Sequence, residues 1–433
     1  MRVLMFGWEF PPHITGGLGT ACEGLTCGLA KQGVSVTFVM PRLHGGESGE
    51  SVRLIPADSV EVSLSSRKLQ DYKNYLRFLS VDSFLLPYIG EESVSYQGSQ
   101  SATGGLYELT HFGRGKLSFT GEYGRDLLSE VGRYALVAAE LARREPHDVI
   151  HAHDWLTYLA GVAAHRVSGK PLVIHVHATE FDRSGEHVNQ QVYDIERYAM
   201  HEAQKVICVS HLTRRTVIER YGVPAAKVVT VHNAVDFGGD CDLAPIRRHF
   251  PEKVVTFLGR ITFQKGPDYF VEAANRVLRR MPNVRFVMAG SGDMRNRMVR
   301  RVAELGIATH FHFTGFLQGE EVGLMYRMSD VYVMPSVSEP FGITPLEAMR
   351  SQVPVIISKQ SGVSEILRYA LKVDFWDIDG LADKIYGLLN YPALAHFFQQ
   401  HGMDEVTKLK WDQAAELVKQ IYEEVIHAAH NSR

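Results

Sequence analysis

The chain has 433 residues, a length that calls for two or three domains rather than one core. Hydrophobic residues make up 45% and charged residues 22%, with a formal net charge of −3 and no Lys/Arg block, which excludes a nucleic-acid or membrane-surface role. Cys22, Cys27, Cys208 and Cys241 form no C-x-x-C pair and read as reduced thiols of a cytoplasmic protein. The start of the chain is interrupted by Trp8-Glu9 too soon for a signal peptide, and no 18-residue apolar run suggests a membrane span.

Short apolar runs alternate with longer helical patterns almost throughout. Val3–Phe6, Ser35–Met40, Asp148–His151, Leu172–His177 and Lys205–Ser210 read as strands of a first sheet. Val254–Gly259, Val284–Gly290, His310–Thr314, Val331–Met334 and Val353–Ser358 read as strands of a second. Helical patterns at Ala21–Gln32, Leu127–Arg144, Asp268–Arg280, Met294–Leu305 and Thr344–Ser351 separate many of them, and Trp411–Ala428 closes the chain. This is βαβ grammar and predicts parallel sheets. Residues 45–124 are richer in Ser, Gly and Tyr with weak periodicity; they read as extra strands, a short helix near Tyr72–Leu79 and loops. Gly238-Gly239, Pro245 and Pro251 place the domain boundary near Asp236–Glu252.

The chemistry gathers at strand ends, where open parallel sheets bind ligands. Gly16-Gly17-Leu18-Gly19 follows the first strand and opens the first helix, so its amides suit a phosphate; the spacing is not the G-x-G-x-x-G of dinucleotide-binding proteins. A plain tight turn is the bland alternative. His151-Ala152-His153-Asp154-Trp155 and His175-Val176-His177 end two neighbouring strands. Four imidazoles and a carboxylate invite a metal reading, but the spacing has no helical H-x-x-x-H and no cysteine partner, so sugar contact is the expectation and no metal is expected. Satisfied buried histidines are the alternative for His151 and His175. Gly259-Arg260-Ile261-Thr262-Phe263-Gln264-Lys265-Gly266 puts two cations at another strand end, a combination that suits a diphosphate. Ser361-Gly362-Val363-Ser364-Glu365 repeats the glycine-turn logic of the first loop.

The most informative stretch is Ser336-Val337-Ser338-Glu339-Pro340-Phe341-Gly342-Ile343-Thr344-Pro345-Leu346-Glu347. It sets two carboxylates eight residues apart across a strand–loop–helix junction, each able to accept hydrogen bonds from hydroxyls. Each also has a structural reading. Thr344-Pro345-Leu346-Glu347 is a capping box on paper, and Glu339 a solvated loop residue.

Together these pieces resemble the retaining glycosyltransferases with two facing Rossmann-like domains, the GT-B type, and within them the bacterial and archaeal glycogen synthases and their family-4 relatives. The resemblance covers nearly the whole chain. It rests on Thr15-Gly16-Gly17-Leu18, His151-Ala152-His153-Asp154-Trp155, Gly259-Arg260 with Gln264-Lys265-Gly266, Glu339-Pro340-Phe341-Gly342 with Glu347, and the helix containing Trp411. It implies an α/β fold with parallel sheets and a catalytic cleft between two domains. The first takes residues 1–240, with extra loops at about 45–124, and the second 250–408. The closing helix, 409–433, crosses back to the first.

The same resemblance implies roles. Arg260 and Lys265 bind the donor diphosphate, Glu339 holds hydroxyls of the transferred sugar, and His153 faces that sugar near the reacting carbon. Glu347 takes the ribose; Gly16, Gly17, Ser361, Gly362 and Val363 surround phosphate or sugar; Asp154 and His177 are candidate acceptor or sugar contacts. The implied reaction is metal-independent transfer of glucose from ADP- or UDP-glucose to an α-glucan or maltooligosaccharide, with no cofactor beyond the nucleotide sugar. The alternatives are a small-acceptor enzyme of sucrose, trehalose or cell-envelope type, and a non-catalytic nucleotide-sugar or glucan-binding protein. One position departs from the pattern: Ile14 stands where glycogen synthases usually carry Lys, which bears on the nucleotide and the acceptor.

Overall fold

A computed structural model describes residues 1–13, 17–47, 52–63, 114–124, 126–235, 248 and 250–431. The expected helix near Tyr72–Leu79, the glycine Gly16, Ile14 and most of the expected boundary segment lie outside these residues.

The strands in chain order are β1 Arg2–Phe6, β2 Ser35–Met40, β3 Arg53–Pro56, β4 Glu61–Ser63, β5 Arg114–Lys116, β6 Val149–His153, β7 Leu172–Val176, β8 Lys205–Cys208 and β9 Val228–Thr230. The second set is β10 Lys253–Leu258, β11 Val284–Ala289, β12 Phe311–Gly315, β13 Val331–Met334, β14 Val355–Ser358 and β15 Leu371–Val373. One sheet runs β3-β2-β1-β6-β7-β8-β9 and another β12-β11-β10-β13-β14-β15; every pairing in both is parallel. The pair β4 and β5 is a small antiparallel ribbon. The chain therefore has two parallel-sheet α/β halves.

Strands such as Val149–His153 and Leu172–Val176 are buried at every residue, which explains their unbroken apolar runs. The sharp ends read from the sequence were one or two residues long in places, because the last residues already turn into site loops: Val209-Ser210 and Gly259 lie beyond their strands. The edge strands β3, β9 and β15 have three or four residues each and too little pattern to read. Helix Trp155–Ser168 was hidden because it is buried along ten of its residues and so lacks an amphipathic period.

Alternation along β6 and β7 decides what each sheet face carries. Ile150, Ala152, Leu172 and Ile174 point into a core under helices Leu127–Arg144 and Trp155–Ser168. Val149 and Val173 point to the opposite face, with Val3, Met5 and Ile207, under helices Gly17–Lys31 and Trp411–Asn431. The closing helix thus packs on the first sheet. Two glycines permit its approach: a Cβ on Gly24 would fall 2.1 Å from the Trp411 indole, and one on Gly28 would fall 2.8 Å from Ala415 Cβ.

In both sheets the strand order reverses once. In the second it reverses between β10 and β13, and in the first between β1 and β6. Such switch points open a crevice at the strands' C-terminal ends, because successive loops there diverge to opposite faces.

Candidate active site

The loops leaving β10 and β13 carry Lys265 and Glu339. Lys265 Nζ lies 2.5 Å from Glu339 Oε2, and Ser336 Oγ donates to the same oxygen at 3.1 Å. Both side chains are largely shielded, at 22% and 8% exposure, so the pair is far better ordered than a surface ion pair. Glu339 is therefore not a solvated loop residue. Its loop is fixed by a parallel bridge to Ser361 and by the Glu339 amide donating to Gln360 O at 3.0 Å. Arg260 follows β10 on the loop that leads to Lys265, half-buried, with Asp293 in its electrostatic reach.

Glu347 sits in the first turn of helix Thr344–Arg350, but the capping box does not form. The helix begins one residue early, with Ile343 at the cap and no side-chain cap bond. Two tyrosines take the polar groups instead: Tyr332 OH donates to Thr344 Oγ1 at 2.8 Å and Tyr326 OH to Glu347 Oε2 at 3.2 Å. Burial raises the Glu347 carboxyl above its usual range, against the hydrogen bond from Tyr326 and the charge of Arg350.

Gly362 and Val363 pack against the Glu339 loop. Their amides are already engaged: Gly362 N donates to Glu339 O at 2.8 Å and Val363 N to Phe341 O at 2.7 Å. Ser361 is buried and its hydroxyl donates to Ser358 O at 2.6 Å. The glycine serves close packing, since a Cβ on Gly362 would fall 2.2 Å from Pro340 O and 2.5 Å from Ser210 Cβ. These three residues brace the Glu339 loop and touch the first half of the chain.

In the first half, Gly17 opens its helix beside Ile343, 3.6 Å from where a Cβ would stand, so the first glycine loop faces the Glu339 loop. Gly16 lies outside the described residues. His153 ends β6 and is fully buried, its Nδ1 2.9 Å from His177 Nε2 and its own Nε2 without a hydrogen-bond partner among the described residues. Asp154 follows directly on β6. With φ of +60° it turns the chain into the next helix, and its Oδ1 accepts the amides of His177 at 2.7 Å and Ala178 at 3.2 Å. It positions the loop after β7.

His151 and His175 complete a stack of four imidazoles on one sheet face, with centroid separations of 4.2–5.3 Å between neighbouring rings. His151 Nδ1 meets Tyr422 OH of the closing helix at 2.5 Å; among the described residues its Nε2 and both nitrogens of His175 have no hydrogen-bond partner. Burial holds His151, His153 and His175 well below the usual imidazole range, reinforced by mutual repulsion; all three are neutral. The His151 and His175 ring planes differ by 5°. Ring nitrogens of His151, His153 and His175 lie within 4.8 Å of one another, and so do those of His153 and His177 with the Cys22 thiol, a cysteine neighbour the spacing did not announce.

Sequence reasoning missed the residues that join the two halves. Asp182, in helix Glu180–Ser184, closes a capping box with Thr179 and accepts Ser338 Oγ at 2.5 Å. Thr179-Glu180-Phe181-Asp182 was the signal that would have placed a helix start there. Beneath it Arg183 meets Glu196 at 2.9 Å, Glu180 at 3.5 Å and Asp154 at 3.8 Å, one cation among three carboxylates. Burial pushes Glu196 up to about 7, although Arg183 and a hydrogen bond from Tyr221 pull it down.

The strand-end cation and carboxylate lie at one switch point, histidine strand ends lie beside the other, and the Ser338–Asp182 contact joins the two halves. Comparison with known proteins names the class. Residues 113–238 match the family described as Glycosyltransferase Family 4, and residues 246–403 match Glycosyl transferases group 1. An uncharacterized glycosyltransferase of Methanocaldococcus jannaschii is 27% identical, over 98% of each chain. The glycogen synthase of Mycobacterium tuberculosis is 25% identical, over 98% of this chain and 94% of that one. The sucrose-phosphate synthase structure from Thermosynechococcus elongatus superposes with a TM-score of 0.69 at 19% identity, over 99% of both chains. The fold is that of the GT-B glycosyltransferases, and each half of the chain matches a glycosyltransferase family model, the first half that of Family 4.

Proposed function

We propose that the protein is a retaining, metal-independent hexosyltransferase that moves glucose from ADP- or UDP-glucose to an α-glucan or maltooligosaccharide. The observation that carries this reading is the shielded Lys265–Glu339 pair at the β10/β13 switch point, with Arg260 on the same loop. Without donor, each charge neutralises the other. With donor, Lys265 and Arg260 turn to the diphosphate and Glu339 accepts hydroxyls of the sugar, leaving both loops where they were. The bond from the anomeric carbon to the diphosphate breaks and the bond to the acceptor oxygen forms on the same face. The acceptor's proton passes to the departing phosphate oxygen. Preorganised cations stabilise the charge that develops there. Glu347, held by Tyr326, takes the ribose hydroxyls, and His153 reaches the sugar through its unpartnered Nε2. Contact between Asp182 and Ser338 keeps water from the reacting centre.

The 25% identity to a glycogen synthase over nearly the full chain supports a glucan acceptor. A screen of ADP-, UDP- and GDP-sugars, with and without maltooligosaccharides, tests it by nucleotide release and product length. A ladder of lengthened glucans is expected. One product of fixed size would favour a small-acceptor enzyme, and tight nucleotide binding without transfer would favour a binding protein.

A further inference from the structure

Three side chains outside the donor site meet where the two halves of the chain touch. His211 opens helix His211–Tyr221 after β8, His232 follows β9, and Glu365 ends the short turn Gly362–Glu365 after β14. Glu365 Oε2 accepts the His211 amide at 2.8 Å and lies 3.0 Å from His232 Nε2; Oε1 accepts the Leu212 amide at 2.7 Å. One ligand atom from each of the three residues falls within 4.8 Å of the others.

The two imidazoles of this cluster are crossed, where those of the buried row are stacked or tilted. The His211 and His232 rings stand at 81° with centroids 5.3 Å apart, so their in-plane lone pairs are free to aim at one point. Tetrahedral zinc with ligands at about 2.0–2.1 Å keeps those ligands roughly 3.3 Å apart. The His232–Glu365 pair is already at 3.0 Å, and His211 is exposed, so its ring turns in without disturbing a core. Two imidazoles and one carboxylate suit a borderline metal and leave a fourth position to water. The ligands are also oriented from behind: two amides fix the carboxylate, and Thr230 Oγ1 lies 3.2 Å from His211 Nδ1.

We propose that His211, His232 and Glu365 bind one divalent transition-metal ion of the zinc class, and that this ion ties the two domains together in the closed arrangement. For Nε2 of His232 to bind the ion, the ring carries its proton on Nδ1, and the ion takes the place of the hydrogen between Nε2 and Glu365. The donor reaction does not use it, so the tie acts on opening and closing of the cleft.

The test is equilibrium dialysis of the untagged, chelator-treated full chain against Zn²⁺ and Co²⁺, paired with small-angle scattering. One equivalent is expected in the wild type. His211→Ala and His232→Ala are each expected to weaken binding at least tenfold, with unchanged far-UV circular dichroism because both rings are partly exposed. Metal is expected to reduce the radius of gyration of the wild type and not of His232→Ala. Absence of stoichiometric binding, binding equal in all three proteins, or binding without compaction would each overturn the proposal. So would binding lost only in His175→Leu, which would move the ion to the buried stack.

Discussion

The two switch points use opposite physics. At β10/β13 the site groups are charged, and they face each other: Lys265 and Glu339 form a shielded pair braced by Ser336 and the Ser361 bridge. Beside β1/β6, at the ends of β6 and β7, stands a row of four imidazoles that burial holds toward the neutral form, with four ring nitrogens lacking partners among the described residues. A diphosphate carries charge and needs cations; a sugar or glucan carries hydroxyls and needs neutral donors and acceptors. The difference therefore divides the labour of the proposed reaction: the donor's diphosphate, and the hydroxyls that Glu339 and Glu347 accept, on the second sheet, and an uncharged contact to the sugar through His153 on the first.

The strongest way to break that division is Lys265→Ala. Removing one preorganised charge from the leaving group is expected to cost about 2–4 kcal/mol of transition-state stabilisation, roughly 10²- to 10³-fold in kcat. Unchanged steady-state turnover in a folded variant would remove Lys265 from the chemistry.

Next comes the carboxylate network under the first-sheet loops. Native Glu196 keeps its proton up to about 7, whereas an unfolded glutamate releases it near 4.5. The folded chain thus holds an extra proton in that window, and this contribution to stability is lost as pH rises from 4.5 to 7. At about 1.4 kcal/mol per unit, over the 2.5 units from 4.5 to 7, the loss is at most about 3.5 kcal/mol. Glu196→Gln, followed by urea denaturation at several pH values, is expected to flatten that slope; an unaltered slope would place the titration elsewhere.

The imidazole row is sharpened by a pair of variants. His151→Leu leaves the buried Tyr422 hydroxyl without its partner and is expected to destabilise by about 1–3 kcal/mol. His175→Leu removes two unpartnered nitrogens and is expected to be neutral or stabilising. Equal losses in thermal denaturation would show that His175 has a polar partner.

The smallest expected effect is on the ribose side. Tyr326→Phe removes the hydroxyl that holds Glu347 at 3.2 Å, at a cost of about 0.5–1.5 kcal/mol, read as a two- to tenfold rise in donor KM with kcat unchanged.

The sequence made the second switch point legible because charges and glycines at strand ends leave a local signal: Arg260, Lys265, Glu339 and Glu347 were all named from it. What it could not show was who satisfies whom. Thr344 and Glu347 spell a capping box, yet Tyr332 and Tyr326, distant in sequence, take both polar groups. Gly362 and Val363 spell a phosphate turn, yet Glu339 and Phe341 carbonyls use both amides. Asp182, His232 and Glu365 act across the junction between the halves, where no periodicity or motif reports a neighbour.

Hydrogen–deuterium exchange with and without a nucleoside diphosphate tests the division of labour most directly. Protection concentrated in residues 259–266 and 336–347, with little change at 149–154 and 172–178, is the predicted result. Protection at the histidine strand ends with none around Lys265 and Glu339 would contradict it.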